Sequence, residues 1–426
     1  MSVAQVVVVA IAIGLCALDG FDVLAISFAA PGIAREWGID RAALGVVLSM
    51  ELIGMMLGSV LVGAVADRSG RRSTVLGCLM VMALGMAMTS GVRSIVALCA
   101  WRVVTGLGVG GMIPTLNALA TEFSSARRRD LCVALMSSGY PLGVIIGGSV
   151  AALLLRSSDW RAVFGFGALV TAAMIPLLLW RVPESVSWLC QRQPRHALQR
   201  LNRTLTRLGY ATVAALPLAT PTRRAPLSAI FGRELRVTTL LTTLTYFLQI
   251  TTFYFVVKWV PKLVVDLGFA AASAAGVLVW ANVGGAAGGA VLGLLAPRAG
   301  VKALTITLML ASALMLAVFG AGWTSLPQLS LVCALTGFCT NGAVVGLFAI
   351  LARCYPTATR ATGTGFAIGV GRGGAVLAPI VGGLLFRAGH SLQFVALVMG
   401  TGSLLAAVAL ALLRVESARR SVSQPA

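Results

Sequence analysis

The feature that most constrains this chain is a succession of twelve long apolar stretches, separated by short polar segments. Crossing the hydrocarbon core of a bilayer takes about 20 apolar residues in a helix. Of the 426 residues, 58% are hydrophobic and only 11% are charged, a balance foreign to water-soluble domains. The sequence therefore predicts an all-α polytopic membrane protein with twelve transmembrane helices.

Apolar length, together with glycine, proline and charged residues, sets the limits of the predicted helices. They span 5–30, 42–66, 74–92, 95–119, 131–155, 161–180, 236–260, 270–296, 301–321, 326–351, 361–386 and 391–413. An arginine-rich polar segment separates the sixth helix from the seventh. We expect an N-terminal six-helix bundle over 1–180, a cytoplasmic linker over 181–235, a C-terminal six-helix bundle over 236–413 and a cytoplasmic tail over 414–426.

The net charge of +20 raises the alternative of nucleic-acid binding. Its distribution argues against that, because most lysine and arginine residues fall in segments on one side of the predicted helices. This bias is the positive-inside signature, and it places both termini in the cytoplasm of a bacterial inner membrane protein. The eight cysteines are scattered without a CxxC pair, so we predict no metal site. We also predict no cofactor and no nucleic-acid partner, and we expect a monomer in the lipid bilayer.

Glycine recurs at a spacing of four in three predicted helices, as Gly54/Gly58, Gly106/Gly110 and Gly284/Gly288. Each pair lies on one helix face, where small residues allow close approach of a neighbouring helix. Ordinary packing explains such pairs, and they also suit helices that rock against one another.

Three acidic residues, Asp19, Asp22 and Glu51, fall inside predicted helices, as does Arg102. Ionisable groups in the hydrocarbon are costly and usually face a bundle interior or a watery cavity. At 1.5 Å per residue, Asp19 and Asp22 lie about 21 and 26 Å from the cytoplasmic face and Arg102 about 10 Å below the outer face. Asp19, Asp22 and Arg102 therefore share one layer of the membrane.

Two carboxylates beside one arginine are suited to proton exchange. Burial and like charge favour the protonated form of a carboxyl group, whereas a nearby cation favours the ionised form. We predict a proton-coupling site formed by Asp19, Asp22, Glu51 and Arg102. The alternative is that these charges only neutralise one another and hold their helices in register.

Arg372 is the other charge deep in the predicted membrane region, about 18 Å from the cytoplasmic face. The second half supplies no acid at that depth, and a guanidinium binds a carboxylate through two parallel hydrogen bonds. We therefore predict that Arg372 binds an anionic substrate. The alternative is that Arg372 pairs with Asp19, Asp22 or Glu51. The two hypotheses are combined if the acid releases Arg372 when the substrate arrives.

Aromatic and amide side chains complete the predicted substrate site. Tyr246, Gln249 and Tyr254 lie on the seventh helix, and Asn282 and Asn341 on the eighth and tenth. Rings with hydroxyl groups suit a flat ligand, although such residues more often serve packing. Lys258 and Lys262 are expected at the outer mouth, where they either gather anions or lie in an aqueous loop.

Two local motifs carry a resemblance to a known family. The loop GAVADRSGRR, from Gly63 to Arg72, resembles the G-x-x-x-D-R-x-G-R-R signature of the major facilitator superfamily, and RVVTGLGVGG, from Arg102, resembles a second signature. The resemblance implies that Asp67 latches the two halves and that Arg102 takes part in proton transfer. The implied gating residues are Gly63, Asp67, Arg68, Gly70, Arg71 and Arg72.

Within that superfamily the chain resembles the aromatic acid:proton symporters. DGFD from Asp19, YFVVKWVP from Tyr254 and GVGRGGAVLAP from Gly369 match that family's motifs. The resemblance implies proton-driven uptake of benzoate-like or hydroxybenzoate-like acids. One departure is Pro297, which stands where the second-half loop signature has an acid, so we expect a weaker gate there.

The sequence thus predicts a secondary active transporter for a small anionic aromatic acid and protons, working by alternating access. Two alternatives are an efflux antiporter for drugs or aromatic compounds and a membrane sensor that does not transport. An enzyme is not expected, because the two histidines, His196 and His390, lie outside the predicted helices and no nucleophile and base pair is visible.

Overall fold

A computed structural model describes residues 1–217, 226–356 and 359–413, apart from the side chains at 63, 64, 67, 126 and 130. Within these ranges the regular secondary structure is helical, and twelve helices are long and apolar enough to cross a membrane. The predicted fold class is therefore confirmed. The predicted tail over 414–426 lies outside the described residues.

The spanning helices fall into two sets of six, separated by two shorter helices. The first set is α1 Val3–Trp37, α2 Arg41–Ser69, α3 Arg71–Ser90, α4 Ile95–Glu122, α5 Arg129–Ser157 and α6 Arg161–Arg181. The shorter helices are α7 Val186–Arg192 and α8 Ala197–Leu208. The second set is α9 Arg236–Asp266, α10 Ala271–Ala299, α11 Val301–Gly320, α12 Leu326–Cys354, α13 Arg360–Arg387 and α14 Leu392–Leu412. The end of the bundle where α1 finishes and α2 begins is called the outer end, and the opposite end the inner end.

Two helices run further than the sequence predicts, and both contain a proline near the expected end. α1 continues through Pro31 to Trp37, and α9 continues through Pro261 to Asp266. Proline removes one backbone hydrogen bond, but a spanning helix tolerates it where neighbouring groups satisfy the freed carbonyl. The predicted ends at 30 and 260 were therefore wrong, and the true end of α1 is set by Gly38, whose φ of 58° is left-handed.

Close packing of α2 against α4 depends on the glycine pairs in these helices. A Cβ atom at Gly54 would lie 2.2 Å from the Val103 carbonyl oxygen, and one at Gly106 would lie 2.1 Å from the Glu51 carbonyl oxygen. The absence of side chains therefore lets the two backbones touch. α10 and α12 repeat the arrangement through Gly284 and Gly288 in the second half.

The two halves meet closely at the outer end. The Arg41 guanidinium pairs with Asp266 at 3.0 Å, and the Ser49 hydroxyl donates to the Val376 carbonyl at 2.8 Å. Nearby, the Gly45 backbone touches the Pro379 carbonyl. Nearer the inner end of α13, a Cβ built at Gly365 or Gly369 has no neighbour within 4 Å among the described residues. The interface is therefore sealed at one end.

We predict that Gly106→Ala destabilises the protein by about 1–3 kcal/mol, the usual cost of overpacking, because the new methyl group would overlap the Glu51 carbonyl of α2. Thermal unfolding in detergent micelles measures the effect. The matched control is Gly77→Ala in α3, where a Cβ has no neighbour within 4 Å and alanine favours the helix. Equal unfolding temperatures for the two variants would contradict the role given to this close approach.

Candidate functional site

Arg102 is the centre of a buried ionic cluster in the first half. Its Nη1 lies 3.3 Å from Asp22 Oδ1, its Nη2 donates to the Asp22 backbone carbonyl at 3.1 Å, and Nη2 also pairs with Glu51 Oε2. The side chains of Asp22, Glu51 and Arg102 are all at most 1% exposed. The structure thus brings together Asp22, Glu51 and Arg102, three of the four residues predicted to form the proton-coupling site, from α1, α2 and α4.

The helices that carry this cluster also fix its geometry. Glu51 lies three residues before Gly54, and Arg102 lies four residues before Gly106, so the glycine contact is one turn from the ion pair. The guanidinium carbon lies 5.3 Å from the centroid of the Phe164 ring, and Nη1 approaches the Met86 sulfur at 3.4 Å. These apolar neighbours exclude water, which strengthens the ionic contacts.

Asp19 lies beside this cluster without a strong partner. It is fully buried, and neither of its carboxylate oxygens accepts a hydrogen bond from the part of the chain that the structure describes. Its electrostatic neighbours are Asp22 and Glu51, which repel its ionised form, and Arg372, which attracts it. A buried carboxylate in this position is costly unless it holds a proton or a cation approaches. Asp19 is therefore suited to exchange a proton.

Lys258 is a site residue that the sequence misplaced. It is fully buried rather than at the outer mouth, its ammonium donates to the Val23 carbonyl of α1, and it lies 3.7 Å from Glu51 Oε2. The prediction failed because it ended α9 at 260, which made Lys258 look terminal, whereas the helix continues to Asp266. Lys262 does lie at the outer end, where it pairs with Asp266 at 2.5 Å.

Arg372 lies where the second half faces this cluster. It is half-buried, it interacts with the Tyr246 hydroxyl, and Tyr254 and Asp19 are within electrostatic range. No carboxylate of the described residues reaches the 4.0 Å of an ion pair with it. The guanidinium therefore has no carboxylate as an ion-pair partner among the described residues, and Asp19 is an acid within its electrostatic range.

Tyr140 of α5 is a further neighbour that the sequence did not single out. Its side chain interacts electrostatically with Tyr254 and Asp19, and its backbone carbonyl touches Gly20 of α1. The only signal was its place in the glycine-rich segment SGYPLGVIIGG. With Tyr246, it adds to the phenol groups around Arg372 and Asp19.

The predicted amides have different surroundings. Both ends of the Gln249 amide are engaged, since it donates to the Thr340 carbonyl at 3.3 Å and accepts from the Ser403 hydroxyl at 2.9 Å. Asn282 and Asn341 donate to carbonyls of Leu278 and Gly285, and both side chains are half-buried. Gln249 therefore ties α9 to α12 and α14, whereas within the described residues each asparagine only donates, to a carbonyl of α10. The role of all three in substrate binding stays a prediction.

The loop signature lies at the inner end between α2 and α3. Gly70 has a φ of 94°, which favours glycine, and its missing side chain makes room for the Glu184 carboxylate. That carboxylate accepts from the Arg72 backbone N–H at 3.0 Å. Arg68 is exposed, and Arg71 is an electrostatic neighbour of Glu122. The side chain of Asp67 and the surroundings of Gly63 are outside the described part, so the predicted latch stays a prediction.

Two six-helix sets that share buried charges across their interface form the architecture of a secondary transporter. Residues 12–324 and 281–426 match the model of the Major Facilitator Superfamily. This chain belongs to that superfamily.

Curated relatives of this chain are aromatic acid transporters. The chain is 33% identical over 402 residues to the 4-hydroxybenzoate transporter PcaK of Pseudomonas aeruginosa, covering 92% of this chain and 89% of that protein. It is 31% identical over 396 residues to the gallate transporter of Pseudomonas putida, with 92% and 88% covered. The 3-(3-hydroxy-phenyl)propionate transporter of Escherichia coli is 29% identical over 418 residues, with 97% and 95% covered.

Solved structures agree on the fold. A D-xylose-proton symporter superposes with a TM-score of 0.75 at 20% identity, covering 96% of this chain and 97% of that chain. The inward open xylose transporter XylE of E. coli gives 0.74 at 18% identity, with 95% of each chain covered.

We predict that Arg102→Met lowers the free energy of unfolding by about 3–5 kcal/mol, because it leaves buried carboxylates without their cation. Denaturant titration of the purified protein in micelles measures this. The control is Arg41→Met, which removes an ion pair whose arginine is 41% exposed and is expected to cost less than about 1 kcal/mol. A loss for Arg102→Met no larger than that of the control would show that the cluster contributes little to stability.

Proposed function

We propose that this protein takes up a small aromatic carboxylic acid together with protons, by alternating access, across the inner membrane of a bacterium. Both termini lie in the cytoplasm in this proposal, as the distribution of arginine and lysine indicates. The observation that carries it is the meeting of Asp19, a buried acid without a hydrogen-bond partner among the described residues, with the half-buried Arg372 of the other half. The aromatic acid transporters among its relatives support the choice of substrate.

In the proposed mechanism the acid pair carries the proton. Asp22 is held by Arg102 through one carboxylate oxygen, whereas its Oδ2 and both oxygens of Asp19 have no hydrogen-bond partner in the described ranges. A proton on either group reduces the repulsion between the two carboxylates. Asp19 is the better acceptor, because the contact with Arg102 stabilises ionised Asp22.

The substrate carboxylate binds Arg372 in this mechanism. Its guanidinium offers a bidentate site for a carboxylate, and Tyr246 and Tyr254 place phenol rings within its surroundings. Asn282 and Asn341 are candidates for contacts with ring hydroxyl groups, because their side chains are half-buried. Gln249 would contribute only after releasing Thr340 or Ser403.

Substrate and proton favour each other's binding in this arrangement. When a substrate anion occupies Arg372, Asp19 loses the attraction of its one cationic neighbour from the second half. The loss favours the protonated form of Asp19. By thermodynamic reciprocity, protonated Asp19 frees Arg372 for the anion. The site therefore takes up an anion and a proton together.

We also propose that the six-helix bundles over 1–180 and 236–413 rock about this site, joined by the linker over 181–235. The outer seal of Arg41, Asp266 and Ser49 then opens as the inner end closes. At the inner end, the loop signature with Arg71, Arg72 and Glu184 is the candidate gate. Pro297, in the corresponding loop of the second half, provides no matching acid.

For Asp19→Asn we expect loss of proton-driven accumulation of an aromatic acid such as 4-hydroxybenzoate, because the amide cannot take up and release a proton. Counterflow, which exchanges labelled for unlabelled substrate without net proton movement, should persist. Proteoliposomes with an imposed pH gradient measure both activities. Asp22→Asn is expected to act in the same direction and to be destabilised as well, because it weakens the pair with Arg102.

Undiminished accumulation in both variants would refute the assignment of the proton to this pair. Accumulation of substrate inside the vesicles that is driven by protons leaving them, rather than entering them, would instead indicate an efflux antiporter. Substrate binding without counterflow in the wild type would indicate a sensor.

For Arg372→Gln we expect the affinity for benzoate-like anions to fall by about 10- to 100-fold, which corresponds to loss of a charge-assisted hydrogen bond. Binding of the matched neutral amide, benzamide, should change little. Ligand-induced thermal shifts of the purified protein measure both ligands. Arg360→Gln at the inner end of the same helix is the control and should keep both responses. Equal loss for the anion and the amide would argue against carboxylate recognition by Arg372.

A further inference from the structure

Lys258 is the one buried cation that the second half places inside the ionic cluster of the first, as far as the described residues show. Its side chain is 0% exposed, its ammonium donates to the Val23 carbonyl, and it lies 3.7 Å from Glu51 Oε2. Burial of an ammonium is costly unless charges and hydrogen bonds compensate it. Here the compensation comes from α1 and α2, across the interface between the halves.

Glu51 therefore has cations from both halves. Its Oε2 pairs with Arg102, which belongs to the same half, and lies near Lys258, which belongs to the other. Arg102 is shared with Asp22, so it cannot neutralise both carboxylates alone. The first half by itself holds an excess of negative charge at this depth, and the second half supplies a compensating positive charge through Lys258.

The contact depends on the conformation that the structure shows. Lys258 lies in the outer part of α9, eight residues before Asp266, which pairs with Arg41 in the outer seal. The Trp259 indole, next in sequence, donates to the Pro379 carbonyl at 3.2 Å, and that carbonyl touches Gly45 of α2. Separation of the halves at the outer end would withdraw the ammonium from Glu51.

We propose that Lys258 replaces a transported proton as the partner of Glu51: the carboxyl is protonated when the outer end is open and pairs with Lys258 when it is closed. On closure the Glu51 O–H bond breaks, the carboxylate pairs with the ammonium, and the released proton passes to the acid pair of Asp19 and Asp22. This inference rests on the proposed function and adds to it the step that links proton movement to the outer seal.

Other charged and titratable groups face this contact from every neighbouring helix, and they set its environment. They are Asp19 and Asp22 on α1, Arg102 on α4, Tyr140 on α5, Tyr254 on α9 and Arg372 on α13. Asp22 of α1 favours the ammonium, whereas Arg102 opposes it. Since these groups remain when Glu51 and Lys258 are changed together, the double variant isolates the contribution of this pair.

The test measures opening of the outer end directly, by hydrogen–deuterium exchange of the backbone over 38–45 and 263–270 in the purified full-length protein. In the wild type, exchange expressed relative to the intrinsic amide exchange rate at each pH should indicate more opening at about pH 5.5 than at about pH 7.5, because protonated Glu51 releases Lys258. Lys258→Met should speed exchange at the higher pH by roughly tenfold, the order of coupling found for contacting charged groups. Glu51→Gln/Lys258→Met should return it towards the wild-type value and reduce its pH dependence.

Two control variants separate this role from folding effects. Lys258→Arg keeps the cation and should behave like the wild type, which shows that the position tolerates change. Lys302→Met removes an ammonium whose hydrogen bonds in the described residues go to carbonyls of its own half, those of Ala411 and Leu413, and should leave the outer end unchanged. The proposal would be overturned if the outer end exchanged equally fast in Lys258→Met and Lys302→Met. It would also be overturned if the double variant exchanged as fast as Lys258→Met.

Transport assays give the second arm. In proteoliposomes the double variant keeps the acid pair of Asp19 and Asp22 but lacks the transfer through Glu51, so its proton-driven accumulation should be slower than that of the wild type. If the wild type shows no proton-driven accumulation of an aromatic acid, the proposed function fails. The exchange measurement needs neither substrate nor gradient, so its outcome judges the Lys258 proposal separately.

Discussion

Neutralisation of buried charge is the constraint on which the rest of this structure depends. Asp22, Glu51 and Arg102 are almost completely removed from solvent, in surroundings where an unpaired charge costs several kcal/mol. Three helices must therefore stay in register so that one guanidinium reaches two carboxylates. The glycines of α2 and α4 permit the close approach that this register requires, so the packing of the first half and its chemistry have one origin.

The sequence predicts the fold well, because apolar stretches long enough to span a bilayer leave little choice of structure. The limits of α1 and α9 are the exception. Pro31 and Pro261 look like helix ends in the sequence, but the bundle satisfies the carbonyls that they leave unpaired, and both helices continue. This error affected the predicted site, because it placed Lys258 at the outer mouth, whereas the residue lies in the ionic cluster.

Part of the site could also be predicted from the sequence, because the charged residues lie on helices of known geometry. Helical rise gives the depth of a charge along its helix, and it places Asp19, Asp22 and Arg102 in one layer of the membrane. Depth does not give rotation about the helix axis or pairing across the halves. Gln249 illustrates the limit, since its place among aromatic residues suggested a ligand contact whereas its amide is engaged by Thr340 and Ser403. Tyr140 illustrates the converse, because nothing but a glycine-rich context marked it.

The sign of the charge at the substrate position also bears on the direction of coupling. A cationic substrate would compete with protons for Asp19, and competition of this kind leads to exchange of one for the other. An anion at Arg372 has the opposite effect, because it removes the cation that stabilises ionised Asp19 and so favours proton binding. Since the coupling between two ligands is reciprocal, the same arrangement makes proton binding favour the anion. In the proposed mechanism, the electrostatics of Arg372 and Asp19 therefore favour symport for an anionic substrate.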